Sequence, residues 1–149
     1  MREYKFRGRD EHGVWHYGYL ANIRLQSVPR WDSPTVIRFA EIVDEDDFTN
    51  RVDPETVGQF TGLKDSDGRE IYEGDVVEAT LKDKSFVKRF HMDETVTGKI
   101  SFDGAWWLGE WDALWRLPRY YDLTVIGNIH DNPELLYNDM QSEQSEEVE

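Results

Sequence analysis

A chain of 149 residues without cysteine is long enough to bury a core of its own and leaves no material for disulfide frameworks or thiolate metal sites. Its 31 acidic and 17 basic residues give a formal net charge of -14, which argues against the electropositive surface that phosphate-backbone binding requires. Aromatic residues form 13% of the chain and recur, with Val, in short segments broken by Gly, Asp and Asn, so strands should dominate over helices.

No apolar run approaches the roughly 18 to 20 residues that span a bilayer, and "MREYKFRGRD" lacks a signal-peptide core, so a soluble, cytoplasmic protein is expected. One domain is expected over residues 1–138, followed by an acidic, disordered tail over 139–149. The acidity is local. Residues 41–55 carry seven acids and one Arg, the tail carries five acids and no base, and the rest of the chain is near balance.

In "MREYKFRGRDEHGVWHYGYL", Tyr4 and Phe6 alternate with Lys5, Arg7 and Arg9, and Trp15, Tyr17 and Tyr19 alternate after the Asp10–Gly13 turn cluster. This pattern predicts a hairpin with a partly basic outer face. Pro29 and Pro34, with no sustained period between 22 and 35, predict mostly loop before a strand near Val36–Val43. Asp44–Asp47 reads as a solvated loop.

"VGQFTGLKDSDGREIYEGDVVEA" predicts a strand over Val57–Leu63, a turn over Lys64–Gly68, and a return strand over Arg69–Ala79. Gly74 would interrupt that return strand as a bulge or sharp bend that curls the sheet toward a barrel. Residues 81–95 predict a long hairpin or exposed excursion. Thr95–Phe102, the Asp103-Gly104 turn and Ala105–Leu108 read as a second hairpin. Trp111, Leu114 and Trp115 suit a short helix stopped by Pro118, and Leu123–Ile129 a final strand before Asn132 as N-cap and Pro133 at the first helical position.

Three blocks, "KFRGRDEHGVWHYGYL", "VDPETVGQFTGLKDSDGREIYEGDVV" and "VIGNIHDNPELL", together resemble the YopX family of small phage and prophage proteins. The resemblance covers roughly residues 1–136. It implies a mainly β, barrel-like antiparallel domain with short helices, self-association, and a phage or prophage origin, and it carries over no catalytic residue.

The residues point to chemistry only weakly. Asp65-Ser66-Asp67-Gly68 imitates part of a calcium loop, but that register places Leu63 and Gly74 where essential ligands belong. Glu70, Glu73 and Asp75 are the carboxylates a metal-assisted hydrolase would use. His12 and His16 have helical zinc spacing on a hairpin, where that spacing has no such meaning. No GxSxG, P-loop or GxGxxG occurs, and no metal or cofactor is expected. Trp106, Trp107, Trp111, Trp115, Tyr120 and Tyr121 form the densest aromatic cluster, mostly core material with some partner contacts.

The expected function is therefore non-enzymatic binding of a host or phage protein, with the aromatic cluster and the Asp44–Asp47 loop as contacts. The alternatives are a hydrolase, a DNA mimic, and a nucleic-acid binder using Lys5, Arg7 and Arg9.

Overall fold

The computed structural model describes residues 5–28, 35–91, 93–109 and 112–136. Tyr4, the residues between Val28 and Thr35, Trp111 and the acidic tail lie outside the described residues. The chain divides into two compact units, Met1–Phe60 and Thr61–Glu149.

The first unit is built on β1 (Phe6–Arg9), β2 (Trp15–Val28), β3 (Thr35–Val43), β4 (Thr49–Val52) and the start of β5 (Gly58–Lys64), in the order β4-β3-β2-β1-β5. β1 and β2 form the expected hairpin, Phe6 opposite Gly18 and Arg9 opposite Trp15. That register puts Arg7 and Arg9 on the same face as Tyr17 and Trp15. The basic outer face is therefore corrected: Arg7 is only 6% exposed, with its guanidinium 4.7 Å from the centre of the Trp15 ring. β1 lies inside the sheet, between β2 and β5, so it has no solvated edge to offer.

The opposite face packs Phe6, Leu20 and Val57 against buried Ala40, Ile42 and Val52. Backbones come close here, and a Cβ on Gly8 would lie 2.5 Å from Val52 Cγ2. The acidic loop is a turn organised by Asp44, whose side chain accepts the Phe48 and Asp46 N–H groups and the Asn50 amide. Those bonds, Asn50 foremost, hold the Asp44 carboxyl below the usual range.

The segment expected to be loop is a second correction. β2 continues to Val28 and pairs with β3 as far as Val28 opposite Thr35. β1 covers β2 only at Trp15–Gly18, and β4 covers β3 only at Ala40–Val43. Beyond those limits, 23–28 and 35–39 form a two-stranded arm to which no third strand is added among the described residues.

The second unit holds β6 (Glu70–Tyr72), next to β5, and a five-stranded sheet. That sheet comprises β7 (Asp75–Leu81), β8 (Thr95–Phe102), β9 (Trp106–Leu108), β10 (Asp112–Ala113) and β11 (Tyr121–Asn128), ordered β10-β9-β8-β7-β11. All recorded pairings are antiparallel, and each sheet runs from one end strand to another without closing. The fold is mainly antiparallel β as expected, but as open sheets rather than a barrel.

β7 lies between β8 and β11 and is buried along most of its length, with Val77, Ala79 and Leu81 joining Ile100, Leu108, Leu114 and Leu123 in the core. Each large aliphatic side chain of this kind contributes about 1.5–3 kcal/mol when fully buried. The excursion between β7 and β8 contains α1 (Ser85–Phe90), which rests Phe86 and Val87 on that core. The helix near Trp115 is a 3-10 segment, Leu114–Arg119, that includes Pro118 rather than ending before it. Asn132 turns its side-chain oxygen toward the Asn128 N–H before a helical turn at 134–136. No helix among the described residues is long and apolar enough to cross a membrane.

Gly74 is not a bulge inside a strand. It occupies the tight turn between β6 and β7 with φ of +89°, where Asp75 accepts the Tyr72 N–H. A Cβ would find nothing nearer than 3.7 Å, so the penalty for a side chain is one of backbone conformation. Gly74→Val is expected to cost about 1–3 kcal/mol. The urea midpoint should fall with the slope unchanged, and an unmoved midpoint would show that the turn relaxes without cost.

Candidate functional site

Three segments remote in sequence meet in the first unit. Arg9–His12 from the β1–β2 turn, Arg38 and Phe39 from β3, and Arg51–Asp53 from the end of β4 line a cleft of about 650 Å3. Their convergence is fixed by backbone bonds: the Asp53 N–H donates to the Arg9 carbonyl, and the Arg9 N–H donates to Thr56 Oγ1. Thr56 is in turn held by its own hydroxyl bond to the Asp53 carbonyl, within a 3-10 turn, Pro54–Thr56, capped by the Asp53 side chain. "FRGRDEHG" and "VDPET" are thus two walls of one site.

The charges in the cleft differ in how they are engaged. Asp10 Oδ1 accepts the His12 and Val14 N–H groups, and Oδ2 lies 2.8 Å from His16 Nε2. Asp53 accepts the Glu55 N–H. Asp10 and Asp53 therefore serve the loops they belong to, and Glu11, the third carboxylate of the lining, stands 3.5 Å from His12 Nε2. Arg51 places its guanidinium 4.0 Å from the Phe39 ring centre, a cation–π contact worth about 0.5–2 kcal/mol. Arg38 stands 3.8 Å from Glu55 in an exposed pair of little energetic weight.

The His16 hydrogen bond, followed by the Val14 N–H, holds the Asp10 carboxyl down to about 2 against its ordinary 3.8. The sign follows from that depression: the contribution to stability is complete above the ordinary value and is lost as pH falls through about 2. A carboxyl-carbon NMR titration should place the Asp10 midpoint near 2, and His16→Ala should return it toward 3.8. An Asp10 midpoint already at 3.8 in the unaltered protein would refute the pairing.

The aromatic cluster is distributed rather than assembled. Tyr121 is buried in the second core, and Trp106 is half-buried against it, 4.9 Å from Phe102 in an edge-on contact. Trp107 is half-buried and donates its indole N–H to the Asp103 carbonyl. Trp115 is 72% exposed, and Tyr120 is also exposed, with its ring 6.4 Å from that of Phe86. Trp111 lies outside the described residues.

Asp75 is buried and occupied by the Tyr72 N–H, whereas Glu73 is exposed, so these neighbours in sequence occupy different environments. Among the described residues no group of three or more His, Asp or Glu side chains is placed to hold a metal ion. Sequence reading missed the cleft. Its only traces were Arg51, alone in an acidic stretch, and the presence of both walls in the blocks that carried the resemblance.

These features define a small antiparallel β protein of two units, the first with a cleft lined by arginines and carboxylates in equal number. The family model described as YopX protein matches residues 5–137, and the chain belongs to that family. A crystal structure of protein EF1440 from Enterococcus faecalis is similar over 91% of this chain and 99% of that one, at 23% identity and a TM-score of 0.51. That likeness supports the fold. No curated protein matches the chain.

Proposed function

We propose that this protein is a phage or prophage accessory module that acts in the host cytoplasm by binding a host or phage protein rather than by catalysis. The observation that carries this reading is the arm of 23–28 and 35–39. A two-stranded ribbon is marginally stable in water by itself, and open strand edges are a liability that proteins ordinarily cover. An arm kept in this form has a use for its edges, and adding a strand from a partner satisfies their N–H and C=O groups directly. Exposed Trp115 and Tyr120, of the aromatic cluster, offer a second contact surface, and the acidic Asp44–Asp47 turn favours a basic partner.

The test is affinity capture from host lysate, with and without phage expression, using the intact chain and a variant in which 26–37 are replaced by Asn-Gly. This shortening leaves Leu25 opposite Arg38 as the last pair. A stoichiometric, salt-resistant protein held by the intact chain and lost with the arm supports the reading. A partner held equally by both moves the contact to the aromatic surface, and no partner for either overturns the binding reading. Size-exclusion chromatography of the same two proteins separates self-association through the arm from capture of another chain.

A further inference from the structure

We infer that residues 139–149 dock, within the same chain, on a row of aromatic rings and basic side chains formed by α1, the 3-10 segment Leu114–Arg119 and Tyr120. Phe86 joins the two elements, its ring 5.2 Å from that of Phe90 and 6.4 Å from that of Tyr120. Both ends of the row are exposed, and each carries a guanidinium group: Arg89 is 5.4 Å from the Phe90 ring centre and Arg119 is 5.7 Å from that of Tyr120. Arg116 precedes Arg119 by three residues in a helix of three residues per turn, so the two lie on one side of it. Lys82 fastens the elements together, its Nζ donating to the Pro118 carbonyl and its backbone N–H to the Tyr120 carbonyl.

Charge selects the occupant. Residues 82–90 carry four bases and one acid, and residues 114–120 carry two bases and no acid, in a protein whose net charge is -14. The neighbouring carboxylates are engaged: Asp83 accepts the Ser85 N–H and hydroxyl, and Glu94 pairs with Lys84 at 3.1 Å. No carboxylate among the described residues stands within ion-pair distance of Lys88, Arg89, Arg116 or Arg119, and all four are exposed. Residues 139–149 supply five acids and no base, with Met140 and Val148 as apolar groups for the rings. Reach agrees with charge. Leu135 lies against Gly127, at the opposite end of β11 from Tyr121. The strand between spans roughly 27 Å at about 3.4 Å per residue, and residues 137–149 extend to about 45 Å. Four of the five acids fall at 143–149, the part of the segment that reaches the row. So short a tether sets an effective concentration near millimolar, against which a separate acidic chain must compete. The inference does not rest on the partner reading, which names the arm as the principal contact.

The chain has no cysteine, so Ser145→Cys accepts a single nitroxide label, and amide NMR of the full chain reads which groups the label approaches. At about 0.01 M salt, where the Debye length is about 30 Å, the label should cut the Lys88, Arg89, Arg119 and Tyr120 amide signals by about half or more. The signals should recover at about 1 M salt, where that length is about 3 Å. They should recover equally at low salt when Glu143→Gln, Glu146→Gln, Glu147→Gln and Glu149→Gln are combined in the labelled chain. Arg89→Ser with Arg119→Ser, both at exposed positions, should restore the Tyr120 signal without moving the melting temperature. A mixture of isotope-labelled chain without nitroxide and nitroxide-labelled chain without isotope should show no loss. Full signals at low salt would overturn the inference, and a decathymidylate that then shifted the same amides would give the row to single-stranded nucleic acid. Loss that persists in the four-Gln chain would also overturn it, because the contact would not be made by charge. Equal loss in the mixture would overturn it in favour of a second copy of the chain.

Discussion

Asp65→Ala is expected to lower the stability of the second unit by about 3 kcal/mol, the amount set by leaving buried or half-buried N–H groups without an acceptor. Asp65 is only 7% exposed, although it sits in the "KDSDGR" turn, where solvent would be the usual environment. Oδ1 accepts the Asp67 and Arg69 N–H groups, and Oδ2 accepts the Val125 N–H from β11. Ser66 exchanges two more bonds with Leu123, and Arg69 donates to the Val125 carbonyl. The turn therefore closes the outer edge of an end strand, and Asp65 is the clasp.

Both oxygens of Asp65 are directed at N–H donors, the opposite of what a cation requires. Asp65→Asn should retain part of the stability, because its amide keeps one acceptor while the NH2 group cannot serve the other side. Urea unfolding gives the loss, and hydrogen exchange at Val125 gives its location. A midpoint unchanged in the Ala variant would show that the edge is held by the Ser66 and Arg69 bonds alone.

What could be read in the sequence follows from which faces are buried. Thr95–Phe102 was legible to the residue because Val96, Gly98 and Ile100 lie inward while Thr95 and Lys99 face water, which writes a period of two into the chain. Residues 23–28 were not legible as strand. The segment 22–35 has no sustained period of two in its sequence, so Pro29 and Pro34 dominated the reading. Trp106 and Trp107 are adjacent on one strand and project to opposite faces, so closeness in sequence does not place them on one surface. The cleft was hidden in a third way. Arg9, Arg38 and Arg51 are brought together by the sheet and by the Asp53–Arg9 bond, a contact that no local pattern encodes.

Gly18→Ala is expected to destabilise the first unit by about 3 kcal/mol, because the new methyl group has no space and its neighbour is backbone. A Cβ at this position would overlap the Val43 carbonyl oxygen, lie 2.7 Å from the Val43 carbonyl carbon and 3.1 Å from Asp44 Cα. A flexible side chain could swing away, but these atoms belong to the β2–β3 ladder and to the turn that follows it. Moving them pulls on the Asp44 N–H bond to Phe48 and on the side-chain bonds Asp44 makes to Asp46, Phe48 and Asn50. The pairing of β3 with β4 ends at that same turn, with Val43 opposite Thr49. One methyl group is therefore set against a ladder, a turn and a strand pair, and strained backbone of this kind falls among the larger effects of single substitutions. The measurement is amide exchange across the chain: protection should fall at Phe48 and along β4 while Leu81 and Leu123 in the second unit keep theirs. Uniform retention of protection with an unmoved urea midpoint would show that β2 can shift away from Val43, and that the close approach at Gly18 is not needed to hold the strands together.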